Sequence, residues 1–173
     1  MKRVRIYLLL VALVATYTAS SYAQKSPKIG HINSQELLAA MPETDSAQVK
    51  IQKIAKEFED QLEVMQVEFN TKYQDYLQKQ KTYTDLVRSA KENELQDLQS
   101  RIQEFQYTAQ QEIEKQRNEI FQPIIDKAQK AVKDVARENG FTYVLDTGTG
   151  AVVYWSDDSE DLMAKVKTKL GLK

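Results

Sequence analysis

The sequence predicts an α+β protein that is predominantly helical, in which a long coiled-coil hairpin arm stands on a small β body. Two observations support this prediction. The 80 residues between Pro42 and Pro123 contain neither glycine nor proline, and their Gln, Glu, Lys and Leu content is typical of long helices. Short apolar runs typical of strands lie on either side of this stretch, at 28–33 and 141–156.

Apolar residues recur at steps of three or four in both halves of the long stretch, from Ile51 to Val87 and from Leu95 to Val135. This spacing gives each helix one apolar stripe, so the halves are expected to pair as a coiled-coil hairpin. The stripe weakens where Thr, Asp, Ser and Asn collect, and we place the tip near 85–91. The predicted arm covers residues 46–139 and would be about 60 Å long, at 1.5 Å per residue in each helix.

Residues 24–45 and 140–173 are expected to form the body. In its N-terminal part, residues 28–33 read as a strand, and Ser34 can cap a short helix that Pro42 ends. In its C-terminal part, residues 141–146 and 151–156 read as two strands of a hairpin, because the Thr-Gly-Thr-Gly sequence between them suits a tight turn. A last helix is expected to begin at Asp157–Ser159, with Leu162, Val166 and Leu170 on its apolar face.

A body of this size has a small core, and three strands leave two open sheet edges. Self-association through the sheet would enlarge the core and cover the edges, so we expect an oligomer. The residues predicted for this oligomerisation body are apolar and lie in the expected strands: Ile29, Ile32, Val144, Val153 and Trp155.

Residues 1–23 have the organisation of a secretory signal peptide. They begin with Lys2, Arg3 and Arg5, continue with an apolar run at 6–15, and end in small and polar residues up to Ala23. The apolar run is too short to span a bilayer, which takes about 20 residues. Cleavage after Ala23 would leave 150 residues with a net charge of −4, since three basic residues and no acidic ones would be removed.

The composition argues against catalysis and against nucleic-acid binding. There is no cysteine and only one histidine, His31, so thiol chemistry, Cys-ligated zinc and His-based triads lack the residues they need. The mildly acidic exported chain does not favour nucleic acid. We therefore expect no enzyme activity, no cofactor and no metal, and we interpret His31 as a structural residue.

The chain resembles the Skp/OmpH family, the periplasmic chaperones of outer-membrane proteins, over nearly all of residues 24–173. The resemblance lies in KIGHINS at 28–34, ELQDLQ at 94–99, QPIIDKA at 122–128 and VARENGF at 135–141. No single motif is specific to this family. The resemblance depends on the order of the elements: signal, strand, long hairpin, two strands, helix.

The resemblance implies a homotrimer whose three arms project around a central cavity. It also implies an ATP-independent holdase that keeps unfolded outer-membrane β-barrel proteins from aggregating in the periplasm. The best-known family member is strongly basic whereas this chain is acidic, so at most a weak contact with a membrane surface is expected here.

Aromatic residues of the arm are the predicted client contacts, because they offer large contact area and tyrosine tolerates a wet surface. They are Phe69, Tyr73, Tyr76, Tyr83 and Tyr107. For Phe69 the seam of the hairpin is the simpler interpretation, and for the tyrosines both interpretations stay open. A basic patch near the tip is a second candidate site, with a solvated helix surface as its alternative: Lys79, Lys81, Arg88 and Lys91.

Two other classes of protein are alternatives to the chaperone. A passive coiled-coil spacer of the cell envelope would share the long helices but would not recognise unfolded proteins. An enzyme acting on peptidoglycan or lipid would need a nucleophile, a metal-ligand cluster or an acid–base pair in a cleft, and the sequence offers no such motif.

Overall fold

The computed structural model describes residues 27–172, so the signal peptide predicted at 1–23 lies outside the described residues. Helices make up 73% of the structure, and a three-stranded sheet completes it. The predicted mostly helical α+β chain with a small sheet is therefore confirmed. The elements, in chain order, are β1 (Ile29–Ile32), α1 (Ser34–Ala39), α2 (Pro42–Lys79), α3 (Asp85–Glu138), β2 (Tyr143–Asp146), β3 (Glu160–Asp161) and α4 (Met163–Leu170).

Helices α2 and α3, of 38 and 54 residues, pack against each other as the arm. Apolar side chains hold the seam from the body as far as Leu98: Ile51 and Leu98 are both 3% exposed, and the rings of Phe58 and Phe105 meet edge to face with centroids 6.1 Å apart. At about 1.5 Å per residue, α2 alone is roughly 57 Å long. The predicted spacing of apolar residues thus corresponds to real contacts between the two helices.

The chain reverses at residues 80–84, ahead of the predicted tip at 85–91. Thr84 has extended backbone dihedrals, and its hydroxyl oxygen accepts a hydrogen bond from the Val87 amide at 3.4 Å. Asp85 then occupies the first turn of α3, where its charge suits the helix dipole. Of the polar residues that suggested a later turn, Asp85, Ser89 and Asn93 belong to the start of α3, whereas Thr82 and Thr84 lie in the turn itself.

The residues predicted to start and end the short helix α1 have other roles in the structure. Asn33, and not Ser34, caps α1, since its side-chain oxygen accepts from the amides of Gln35 and Glu36 at 3.1 and 3.2 Å. Pro42 does not merely end α1 but begins α2, at the one helical position where a missing amide hydrogen costs nothing.

The sheet is parallel, with strand order β2-β1-β3. Ile29 pairs with Tyr143 and Ile32 with Asp146, so β1 and β2 are in register along their whole length. Parallel neighbours need a crossover connection, and here the entire helical arm forms it.

The predicted β-hairpin of 141–146 and 151–156 is wrong. Residues 143–146 are a strand, but 151–156 form none, and the third strand is the short β3 further along. The Thr147 amide bonds to the Ile32 carbonyl at 3.0 Å, so the chain continues alongside β1 instead of turning back on β2. A short continuous apolar run such as 151–155 cannot distinguish a paired strand from an extended connection.

The last helix begins at Met163, later than the predicted Asp157–Ser159. Residues 160–161 pair with β1 first, and the Asp161 carboxylate then accepts a hydrogen bond from the Met163 amide at 2.8 Å. Gly171 ends the helix in the left-handed conformation, with φ of 72°.

Helices cover one face of the sheet only. Alternation along the strands points Ile32 and Val144 toward the helices, where the core consists of Ile32, Leu37, Met41, Ala47, Ile124, Ala128, Ala131, Val135, Leu162 and Val166. On the opposite face Ile29, Tyr143 and Leu145 are 45%, 62% and 40% exposed. We call this second surface the open sheet face.

Candidate functional site

Four of the five predicted aromatic contacts lie together in the distal part of the arm. The rings of Phe69 and Tyr73 stack with centroids 5.9 Å apart, and those of Tyr76 and Tyr83 lie 6.5 Å apart. Tyr73 is 40% exposed, whereas Phe69, Tyr76 and Tyr83 are half-buried. The group therefore exposes the edges of its tyrosine rings to solvent, while the rest of its area is buried within the hairpin.

Tyr76 also holds the two arm helices together. Its hydroxyl donates a hydrogen bond of 2.6 Å to Glu92 Oε1 on α3. This bond and the nearby carboxylate raise the pKa of Tyr76 above its ordinary value. Tyr76 is thus a structural residue of the arm as well as a candidate contact.

Tyr107 stands apart from the other aromatic residues. It lies on α3 two residues after Phe105, which packs against Phe58, and so roughly 25 Å nearer the body than Tyr73. Its side chain is 64% exposed, on the side of α3 that faces away from α2. The structure therefore does not bring the five predicted contacts into one patch.

Sequence reasoning missed three exposed valines of α2, and two of them lie close together in its outer half. Val64 and Val67 are 61% and 57% exposed, while their neighbours Leu62 and Met65 are half-buried in the seam. Their positions are out of step with the three-four spacing, and this mismatch is the signal that could have revealed them. Apolar side chains at surface positions of a long helix offer contact area to another molecule.

The predicted basic patch is largely neutralised by the arm's own acids. Lys79 pairs with Asp75 at 2.5 Å, and Arg88 pairs with Asp85 at 2.6 Å. Lys91 pairs with Glu94 at 2.8 Å. Lys81 forms no ion pair with any side chain of residues 27–172. Four positive charges and three negative ones leave one net positive charge, so the patch offers little attraction to an anion.

Glu94 is the centre of a polar clamp between the two helices. It accepts a hydrogen bond from Lys72 of α2 and another from Lys91 of its own helix. These bonds lower the pKa of Glu94 to about 2, and the bond to Glu94 raises the pKa of Lys72. Beyond the buried Leu98, the distal arm is therefore held by charge and hydrogen bonds as much as by apolar packing.

The predicted oligomerisation residues divide between two environments. Ile32 is 3% exposed inside the chain's own core and has no surface to offer a partner. Ile29 lies on the open sheet face, and Val153 is 95% exposed. Trp155 lies over the same face, with its ring 5.4 Å from that of His31, and is 44% exposed.

Val144 points into an apolar groove beside β2 and is half-buried. Tyr143 and Leu145, which sequence reasoning did not single out, enlarge the open sheet face. His31 bonds to Ser159 Oγ at 2.9 Å through Nδ1, which fixes the start of the β3 segment against β1.

Within 27–172 no group of three or more His, Cys, Asp or Glu side chains is placed to hold a metal ion. Across the same residues, none of the helices has the length and apolar character needed to cross a membrane.

Comparison with known proteins agrees with this fold. The model of the family described as "Outer membrane protein (OmpH-like)" matches residues 28–170, and the chain therefore belongs to the OmpH-like family. The resemblance inferred from the sequence is confirmed. A search of curated proteins gives no match.

Among solved structures, the chain is similar to an OmpH-like protein from Caulobacter crescentus CB15, described as a candidate outer membrane chaperone. The TM-score is 0.71, and the alignment covers 83% of each chain at 14% sequence identity. At that identity the likeness establishes a shared fold.

Proposed function

We propose that this protein is an ATP-independent holdase of the periplasm, which binds unfolded outer-membrane β-barrel proteins between helical arms and prevents their aggregation. The observation that carries the proposal is the OmpH-like match over nearly the whole described chain, joined to an arm with exposed apolar and aromatic side chains. The signal peptide proposed for residues 1–23 would deliver the chain to this compartment.

Holding an unfolded chain requires many weak contacts. A holdase lowers the free concentration of the aggregating state by mass action. Contacts of modest strength, such as those from Tyr73, Tyr107, Val64 and Val67, become effective when several arms surround one client, because each bound arm raises the local concentration of the others. Release then needs no nucleotide, since folding into a membrane competes with weak contacts.

In the proposed oligomer, the other arms around a client come from further copies of the chain. The open sheet face carries Ile29, Tyr143 and Leu145, and beside it Trp155 and Val153 are exposed. Apolar patches of this kind mark protein–protein contacts. We propose a homotrimer in which this face is covered, its order being that of the family the chain resembles.

Charge has a minor part in the proposed binding. The acidic partners of Lys79, Arg88 and Lys91 leave the tip with little net charge. Attraction between a nearly neutral tip and an anionic surface is weak and is screened over about 8 Å at physiological salt. Contact with a membrane surface is accordingly proposed to be weak.

Light scattering tests the proposal. A urea-unfolded outer-membrane barrel protein is diluted into buffer with and without the exported chain purified from a periplasm. Scattering should be suppressed when about one oligomer is present per client, without added nucleotide. Unchanged scattering at several-fold excess would overturn the holdase and favour the passive envelope spacer.

A further inference from the structure

The middle of the arm has two unlike flanks, one on each side of the seam between α2 and α3. On one side, a depression between the helices is lined by charged residues, among them Glu68, Lys72, Asp97 and Arg101. The clamp around Glu94 lies on this same side. We call this surface the charged flank.

The other side of the arm carries uncharged amides. On α3 a glutamine recurs at steps of three and four residues: Gln96, Gln99, Gln103, Gln106 and Gln110. At 3.6 residues per turn, these five positions fall within about 80° around the helix axis. All five side chains are exposed.

No charged side chain interrupts this row of glutamines. The charged residues of α3 between 93 and 113 all lie outside its sector, on the side of the charged flank: Glu94, Asp97, Arg101, Glu104 and Glu112. A strip of helix surface about 21 Å long is therefore free of charge, at 1.5 Å per residue.

Helix α2 extends the uncharged surface. A step of two residues turns about 200° around a helix axis. Gln66 and Asn70 therefore lie on the opposite side of α2 from Glu68 and Lys72, which belong to the charged flank. Both amide side chains are exposed. We call these seven residues, five glutamines on α3 and two amides on α2, the amide flank.

The chain itself does not use the amides of this flank. Gln80, Gln116 and Gln122 bond to neighbouring groups of the arm, whereas within residues 27–172 none of the seven flank amides makes a side-chain hydrogen bond. Their donors and acceptors are therefore left for water or for another molecule.

The chemistry of the flank matches an unpaired polypeptide backbone. A glutamine side chain offers an amide N–H and a C=O, the two groups of every backbone unit, whereas a lysine only donates and a carboxylate only accepts. An unfolded barrel strand presents these backbone groups along its whole length, whatever its side chains are. At about 3.3 Å per residue, an extended segment of about six residues would cover the row on α3.

The lack of charge also favours a neutral partner. A surface without charged groups gives no electrostatic attraction to an anionic lipid or polysaccharide. Tyr107 is a neighbour of Gln103 and Gln110 on the surface of α3 and is 64% exposed. Its ring can cover hydrogen bonds formed beside it, and such bonds are stronger where water is excluded.

We propose that the amide flank binds the extended, unpaired backbone of a client, and so supplies the part of recognition that does not depend on the client's sequence. This inference rests on the proposed holdase and names what this part of the arm recognises. One exposed hydrogen bond contributes little, but several that act together on one client contribute more.

Methionine substitution separates hydrogen bonding from apolar contact. The variant carries Gln96→Met, Gln99→Met, Gln103→Met, Gln106→Met and Gln110→Met. Methionine suits a helix and adds apolar area but has no amide. The concentration of exported chain that halves the light scattering of a urea-unfolded outer-membrane barrel protein should rise about tenfold. A concentration that stays the same or falls would overturn the inference, because apolar contact would then account for the binding.

Two further variants complete this test. Gln61→Met combined with Gln111→Met is the matched control, since both glutamines are exposed but lie outside the flank, and suppression should be unaltered. Alanine at the five α3 positions also suits a helix but adds no large apolar surface. If the methionine variant aggregates by itself, the alanine variant should show the same loss of suppression.

A peptide probe tests whether the backbone is the recognised group. A fluorescent peptide with the sequence of one membrane strand of the client is compared with the same peptide N-methylated at alternate residues, which removes backbone donors and keeps the side chains. By fluorescence anisotropy, the exported chain should bind the methylated peptide several-fold more weakly, and the methionine variant should not distinguish the two. Equal affinity of the native chain for both peptides would overturn the inference.

The outcomes separate this inference from the proposed function. A native chain that does not suppress aggregation at several-fold excess would overturn the holdase and amide recognition together. If the native chain suppresses aggregation and the methionine and alanine variants do so equally well, amide recognition alone is wrong and the holdase stands. Sedimentation velocity should show the native oligomer in every variant; a changed oligomer would mean that the flank packs against another arm, and would overturn the inference.

Discussion

The carboxylate of Asp146 accepts two hydrogen bonds from Ser34, one from its amide at 3.1 Å and one from its hydroxyl at 2.6 Å. The Gly148 amide donates a third, at 2.9 Å. Burial alone would raise the pKa of the Asp146 carboxyl, but the three hydrogen bonds outweigh it and hold the pKa below its ordinary value. These hydrogen bonds join the end of β2 to the start of α1, two segments that the long helices of the arm separate in sequence.

Asp146→Asn should lower the free energy of unfolding by about 2 kcal/mol near neutral pH, because hydrogen bonds to a charged acceptor are stronger than those to an amide. Urea denaturation followed by circular dichroism measures the loss. Asp158→Asn, at an exposed position without an ion pair within residues 27–172, is the control and should change stability little.

The effect of Asp146→Asn should depend on pH in one direction. A carboxyl whose pKa is lowered on folding contributes its full stabilisation above its unfolded pKa, and loses it as the pH falls through the folded value. The difference between native chain and variant should therefore be constant above about pH 5 and shrink below about pH 4. A difference that grows as the pH falls would contradict the role of the charged carboxylate.

Gly30 allows β1 to pack closely against Phe141 and the β3 segment. A Cβ at this position would lie 2.7 Å from a ring carbon of Phe141 and 3.0 Å from the Glu160 carbonyl oxygen. Gly30→Ala should therefore destabilise the chain by about 1–3 kcal/mol through overpacking. Thermal unfolding measures the loss, and an unchanged midpoint would mean that β1 is packed less tightly against Phe141 and β3 than described.

Glu94→Gln should loosen the distal arm without unfolding the body. The substitution removes the charge that holds Lys72 and Lys91, and exposed ion pairs contribute at most about 1 kcal/mol each. Amide hydrogen exchange should therefore quicken in residues 72–94 and stay unchanged near Val135. Glu57→Gln, nearer the body, is the control, and equal exchange in both variants would argue against a clamp.

The exposed arm residues should matter for client binding. Replacing Val64, Val67, Tyr73 and Tyr107 with serine removes exposed apolar area and leaves the buried seam residues Ile51 and Leu98 in place. Suppression of client aggregation should then require several-fold more protein, because each lost contact weakens a multivalent complex. Undiminished suppression with an unchanged oligomer would place the client contacts elsewhere.

Tyr76 needs a separate variant, because it also bonds to Glu92. Tyr76→Phe keeps the ring and removes only the hydrogen bond. We expect client suppression to be unchanged and distal amide exchange to quicken slightly. A large loss of suppression with unchanged exchange would mean that the hydroxyl acts on the client.

The helical arm was predictable because its signal is repeated many times. Apolar residues from Ile51 to Val135 recur at helical spacing, so errors at single positions do not change the conclusion. The body was harder, since its strands have only two to four residues. Residues 151–156 have a strand-like composition but pair with no strand among the described residues. The sequence of a segment does not show which strand it pairs with.

The exposure of the candidate contact residues could be predicted from the sequence only in part. Aromatic side chains were expected on the arm, yet their division between seam and surface depends on which side of each helix they occupy, as Tyr76 and Tyr107 show. Counting charges from 79 to 91 omitted Asp75 and Glu94, which lie one helical turn outside that window and neutralise it. Val64 and Val67 could not be found from the three-four spacing, because both positions are out of step with it.

Sedimentation velocity with a labelled, urea-unfolded outer-membrane barrel protein tests the central claim most directly. The account predicts that the client sediments together with the exported chain, as a discrete complex of one client and one oligomer, and stays sensitive to protease because it is unfolded. If the client pellets while the exported chain sediments alone, the protein does not hold unfolded outer-membrane proteins and the proposed function is wrong.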